Sequence, residues 1–102
     1  MSSDCQRNAR FALGRILATP GALRAIEESG QSPADFLSRH VRGDWGSVSA
    51  GDQRLNDVAV RSGARILSAY ETRGGVRLWI ITDAAQATGQ RESTTILLPQ
   101  DY

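Results

Sequence analysis

The sequence contains no lysine, so all 12 of its basic residues are arginine. A GC-rich coding genome accounts for this, although the planar guanidinium also suits bidentate contacts to carboxylate or phosphate. Basic and acidic residues nearly cancel, 12 against 11, and leave a formal net charge of +1. A dedicated nucleic-acid binder gathers a basic excess on one face, so direct nucleic-acid binding is not favoured. The single cysteine, Cys5, excludes an intramolecular disulfide and a cysteine-based metal site, which fits a cytoplasmic location. The single histidine, His40, lacks the paired ligand spacing of a zinc site, so no metal is expected. No apolar run is long enough to cross a bilayer, and the first residues lack the apolar stretch of a signal peptide, which argues against a membrane location. The glycines match neither a phosphate loop nor a dinucleotide fingerprint, and no serine-nucleophile elbow occurs, so no cofactor is expected.

What is present suits one small soluble domain: 102 residues, 40% hydrophobic and 23% charged. Residues 1–10 read as a flexible tail and residues 11–102 as the globular domain. Loose alternation over 11–18 suggests a strand. Thr19-Pro20 supplies a cap and a first-turn proline for a helix that Gly30 stops, with Ala22, Leu23 and Ile26 as its apolar stripe. Ser32-Pro33 starts a second helix that Gly43 ends. Asp35 lies in its first turn, Phe36, Leu37 and Val41 are its buried side, and His40 borders that side one turn after Phe36. A third helix is expected over 52–62, with Leu55, Val58 and Ala59 inward and Gly63 as its cap. The period then changes to two. Residues 65–72 and 76–82 form a hairpin around Gly74-Gly75, placing Tyr70 opposite Trp79 if the glycines make a two-residue turn, whereas a longer turn shifts the register. Residues 83–93 read as a surface loop and 94–98 as a last strand closed by Pro99. This order predicts an α+β domain, about three helices packed on a three- to four-stranded antiparallel sheet.

Chemically capable side chains concentrate in residues 39–46, where Arg39, His40, Arg42, Asp44 and Trp45 stand at a helix end beside two glycines. Asp52 and Asn56 share one flank of the next helix and could converge on them. As chemistry the cluster offers one imidazole and two carboxylates, and a histidine is the usual general acid or base. The preferred reading is that His40 hydrogen-bonds Asp44 or a backbone carbonyl and fastens the helix end, with Trp45 covering the core. Asp44 and Trp45 then form a recognition corner with Arg39, Arg42, Asp52 and Asn56. Tyr70, Trp79 and Arg77 could form a base-stacking platform, but with six aromatics in the chain both rings are expected in the core.

The chain resembles a family of short bacterial proteins carried on plasmids, prophages and integrated elements. The likeness spans residues 11–102. It is carried by Ala18-Thr19-Pro20-Gly21-Ala22-Leu23, Gly30-Gln31-Ser32-Pro33-Ala34, Arg39-His40 through Gly46, Asp52, Asn56, Leu67-Ser68-Ala69-Tyr70, Trp79-Ile80-Ile81-Thr82 and Thr94-Thr95-Ile96-Leu97-Leu98-Pro99. Members are sometimes labelled as restriction-modification methyltransferase subunits, but this chain is too short for that domain and has no cofactor motif. It departs from the family over 83–93, where a longer Ala-Ala-Gln-Ala-Thr-Gly-Gln-Arg-Glu stretch replaces a compact acidic turn. The resemblance implies a mobile-element setting and a non-enzymatic protein that binds a host defence complex, either a CRISPR effector or a restriction enzyme. The alternative is a small metal-independent ribonuclease or toxin, with His40 as acid or base and Arg77 meeting phosphate.

Overall fold

The computed structural model describes residues 9–102, and the expectation for residues 1–8 of the tail lies outside them. Arg10 itself is tied down, its amide donating to the Val41 carbonyl at 2.8 Å. Three helices and four strands make up the described residues: β1 (Arg15–Ala18), α1 (Pro20–Glu28), α2 (Pro33–Val41), α3 (Ala50–Ser62), β2 (Ile66–Glu71), β3 (Arg77–Thr82) and β4 (Ser93–Leu97). A 3-10 turn follows at Pro99–Asp101. The domain is α+β, as its sequence order implies, but the sheet is mixed. Its order is β1-β4-β3-β2, and β1 runs parallel to β4 while the other neighbours are antiparallel. All three helices separate β1 from the hairpin, so no tight turn forces β1 into an antiparallel pairing.

The caps act where the sequence placed them. Thr19 Oγ1 accepts the Ala22 amide at the start of α1 and donates to Asp101 at 2.7 Å, joining the helix to the C-terminal turn. At α2 the Ser32 amide donates to the Asp35 carboxylate at 2.9 Å. Ser49 caps α3 by accepting from the Asp52 amide, two residues earlier than the expected start, and Gly63 ends it with φ +87. β1 is shorter than the alternation suggested. Phe11 turns inward against His40 and Trp45, and Gly14, at φ +66, then redirects the chain beside β4. A Cβ at Gly14 would lie 2.4 Å from the Arg91 carbonyl oxygen, so only glycine permits this approach.

The even-numbered positions of β2 and β3 face the helices. Tyr70, Leu78, Ile80 and Ile96 meet Ala22, Ile26, Phe36 and Leu37 in the main core, and Ile66 meets Trp45 and Ala59 in a second cluster. Each large apolar side chain buried here contributes about 1.5–3 kcal/mol. The hairpin uses the longer turn. Thr72 and Val76 close it, Ala69 pairs with Trp79, and Tyr70 pairs with Leu78. Tyr70 therefore enters the core, whereas Trp79 lies on the opposite face against Tyr102, with ring centroids 5.7 Å apart.

Two helix faces differ from expectation. In α1 the buried stripe is Ala22, Ala25 and Ile26, and Leu23 is exposed on its flank. The small alanines set the contact face and bring the helix close to the sheet. In α3 the inward residues are Asn56 and Ala59, while Leu55 and Val58 are 67% and 53% exposed. This helix is oriented by a polar contact to the rim of the sheet instead of by an apolar stripe.

Candidate functional site

The corner at 39–46 is built where α2 ends against the outer edge of β2. Arg42 caps α2, Gly43 turns at φ +92, and the Asp44 amide donates back to the Arg39 carbonyl at 2.9 Å. The next residues lie along β2 as one further short strand. The Trp45 carbonyl accepts the Ala69 amide at 3.1 Å, and the Ser47 amide donates to the Ala69 carbonyl at 2.8 Å. Gly46 sits between them at φ +75, where a Cβ would come 1.9 Å from the Ala69 oxygen, so the backbones meet only because residue 46 has no side chain.

Asn56 completes the edge. Its Nδ2 donates to the Leu67 carbonyl at 2.7 Å and its Oδ1 accepts the Leu67 amide at 3.2 Å, so one amide side chain stands in for a strand neighbour. An open edge invites pairing with other chains, and here two consecutive outward-facing positions of β2 are closed.

His40 points the other way, into the core, with no exposed surface. Its Nδ1 lies 2.6 Å from Ser68 Oγ and its Nε2 2.8 Å from Thr82 Oγ1. Thr82 Oγ1 lies 2.7 Å from Thr94 Oγ1, which donates to the Leu13 carbonyl at 2.7 Å. A carbonyl only accepts and each hydroxyl carries one proton, so the end of this chain fixes every direction in it. Thr94 donates to Leu13, Thr82 donates to Thr94, and His40 Nε2–H donates to Thr82, which leaves Nδ1 to accept from Ser68. The imidazole is therefore the neutral Nε2–H tautomer. Burial, reinforced by the nearby Arg91 charge, pushes it down from the ordinary 6.5 to about 3.

The expected bond from His40 to Asp44 or a backbone carbonyl is thus replaced by bonds to two hydroxyls. Trp45, read both as a cover for the core and as a displayed side chain of the corner, is 4% exposed and so covers the core, donating its indole N–H to Asp57 at 3.0 Å. Asn56, also expected at the surface, is buried by its edge contact. His40, Trp45 and Asn56 hold the corner from within. Arg39, Arg42 and Asp44 remain at the surface, and Asp52 lies exposed in the first turn of α3, where the helix dipole favours its charge. His40 bonds the last residue of β3 on the helix-facing side, whereas Arg77 begins β3 on the other face, so the two cannot act on one phosphate.

Arg39 and Asp44 form the one ion pair among the described residues. Arg39 Nε donates to Oδ2 at 2.8 Å and Nη2 to Oδ1 at 3.4 Å. The hydrogen bond to Arg39 holds the Asp44 carboxyl below the usual carboxylate range, and Asp44 raises Arg39 in turn. The Arg39 guanidinium also lies 4.5 Å above the Tyr70 ring, whose hydroxyl donates to the Asp44 carbonyl, and burial pushes the Tyr70 phenol up to about 12. Beside the pair opens a surface pocket of about 440 Å³, lined by Arg39, Asp44, Tyr70, Glu71 and Arg77. Its charges alternate in sign, which suits a polar partner surface of mixed charge. Among the described residues no group of three metal-ligating side chains converges, and no helix is long and apolar enough to cross a membrane.

The inward bonds of His40 had a signal in the sequence. Ser68, Thr82 and Thr94 occupy core-facing positions of strands with period two, where a hydroxyl needs a buried partner. Arg91 carried no such signal. Its guanidinium reaches three carbonyls, those of Ala59, Ala64 and Asp83, at 2.8 to 3.0 Å. Compared with protein-family models, with curated proteins and with solved structures, the chain matches none of them.

Proposed function

We propose that this protein is a non-enzymatic binding protein that docks on a host macromolecular complex through the 39–46 corner and inhibits it. The partner is a host defence complex, either a CRISPR effector or a restriction enzyme. The observation that carries the reading is the division of labour within the corner. Trp45 and Ser47 fix its backbone to the edge of β2, while the Arg39–Asp44 pair stays exposed beside a pocket rimmed by Glu71 and Arg77. A surface pre-ordered in this way loses little entropy on binding, which favours recognition. The choice of partner rests on the resemblance to mobile-element proteins.

The test is capture of CRISPR effector and restriction complexes by the tagged chain, together with relief of interference in cells that express it. Arg39→Glu and Asp44→Arg should each weaken capture about tenfold or more, as expected when a charge pair at an interface is reversed. Both variants should remain folded, because an exposed pair contributes at most about 1 kcal/mol. Failure of the wild type to capture or inhibit any such complex refutes the proposal, as does full capture by both variants.

A further inference from the structure

A second pocket opens between the chain before β1, the last turn of α3 and the 83–93 loop. It measures about 340 Å³, within the range of small-ligand sites, and among the described residues its lining includes Arg10, Arg61 and Arg91 and no carboxylate.

Arg91 is the informative member. It is 7% exposed and makes no ion pair among the described residues, its three hydrogen bonds going to carbonyl oxygens through Nη1 and Nη2. A buried cation ordinarily takes an anionic partner, because neutral acceptors only partly offset its lost hydration. Nε of Arg91 makes no hydrogen bond to a described residue, and Arg91 lines this pocket. Further donors surround the space. Ser62 Oγ accepts the Ala64 amide and keeps its own proton to give, and Gln86 adds a side-chain amide. Phe11 and Val60 supply an apolar wall.

We propose that this pocket binds the phosphoryl group of a small phosphate monoester, with Arg10, Arg61 and Arg91 Nε as the anion's donors and the apolar wall beneath its organic part. The guanidinium fork matches phosphate oxygens, and three such groups without a carboxylate complement a dianion. The pocket adjoins the inner side of the corner through Arg10 and Phe11, but it includes none of the displayed residues Arg39, Arg42 and Asp44 and does not rest on their proposed role.

The experiment is calorimetric and amide-shift titration of the full chain with adenosine monophosphate, inorganic phosphate and adenosine. Adenosine monophosphate should bind and adenosine should not, with shifts centred on residues 60–63 and 85–91. Phosphate alone binding as tightly as the monoester supports the anion site and identifies free phosphate as its source. Arg61→Gln, an exposed change that leaves the fold intact by circular dichroism, should weaken binding about tenfold, the loss expected for one charge-assisted contact. Asp44→Arg should bind unchanged, which separates this site from the corner. Absence of binding by both anions, equal binding of adenosine, or an unaltered Arg61→Gln overturns the proposal.

Discussion

Acidification from pH 7 to pH 5 should cost the native state about 2 kcal/mol through one side chain, His40. In the unfolded chain its imidazole titrates at the ordinary 6.5, whereas in the folded protein burial beside Arg91 holds it at about 3. Between those values the unfolded state binds a proton that the folded state refuses. Because the folded value is depressed, the native state has its full stability above pH 6.5 and loses it as the pH falls toward 3. Each pH unit inside the window is worth about 1.4 kcal/mol, so the loss is about 2 kcal/mol at pH 5 and about 4 kcal/mol near pH 3. Asp44 adds to the loss only as the pH falls into the ordinary carboxylate range near 3.8, where the unfolded carboxyl takes up a proton that the folded one, held lower by Arg39, refuses. The chain has one histidine, so the assay is clean. Urea unfolding at pH 7, 6 and 5 gives the slope, and imidazole NMR on the folded protein reports directly whether the ring titrates. His40→Gln should be less stable at pH 7 but nearly flat between pH 7 and 5. A folded-state imidazole titrating near 6.5, or equal slopes in wild type and variant, refutes both the enclosure of His40 and the fixed tautomer derived from it.

The remaining predictions concern the same frame. Thr82→Val should cost about 1–3 kcal/mol by leaving the His40 Nε2–H without an acceptor, whereas Thr82→Ser should restore most of that loss, as read from urea midpoints. Asn56→Ala should lose about 2 kcal/mol and expose the Leu67 amide and carbonyl, so light scattering should detect concentration-dependent association absent from the wild type. Gly46→Ala should lose more than about 2 kcal/mol, because a Cβ there meets the Ala69 oxygen at 1.9 Å and the positive φ adds strain; an unchanged melting temperature would count against the edge contact.

Much of the fold was legible because its signals are local. Thr19-Pro20 and Ser32-Pro33 start helices through caps and prolines that act within one turn, and the change to a period of two after Gly63 marks the sheet. What the sequence hid depends on distant partners. Periodicity assigns a helix its apolar side on the assumption that it meets an apolar face. α3 instead meets the backbone edge of β2, so Asn56 faces inward and Leu55 and Val58 face out. The hairpin register turned on whether two or three residues made the turn, and that one-residue difference decided that Tyr70, and not Trp79, enters the core. At the corner, the cluster of residue types was visible but its direction was not. His40 finds its partners on β2 and β3, 28 and 42 residues away in sequence, and no local pattern specifies which side of the helix end they occupy.

The corner's inward and outward residues alternate along the chain, and this decides how its role can be tested. Arg39 projects to the surface, His40 and Val41 enter the core, Arg42 and Asp44 project outward, and Trp45 turns in. Substituting Trp45 or His40 removes core contacts and displaces the surface residues with them, so lost binding in those variants says nothing about which atoms touch a partner. Exchanging the charges of Arg39 and Asp44 alters the displayed chemistry at modest cost in stability, since the pair is solvated and its other contacts are the Gly46 amide that Asp44 accepts and the Tyr70 ring that Arg39 covers. The doubly reversed variant, Arg39→Asp with Asp44→Arg, is therefore the most discriminating. It preserves an opposite-charge pair within the corner but inverts the field presented to a partner. If the corner served only to close the edge of β2, this variant would behave as wild type in every respect. If the corner is a docking surface, the variant folds and fails to bind.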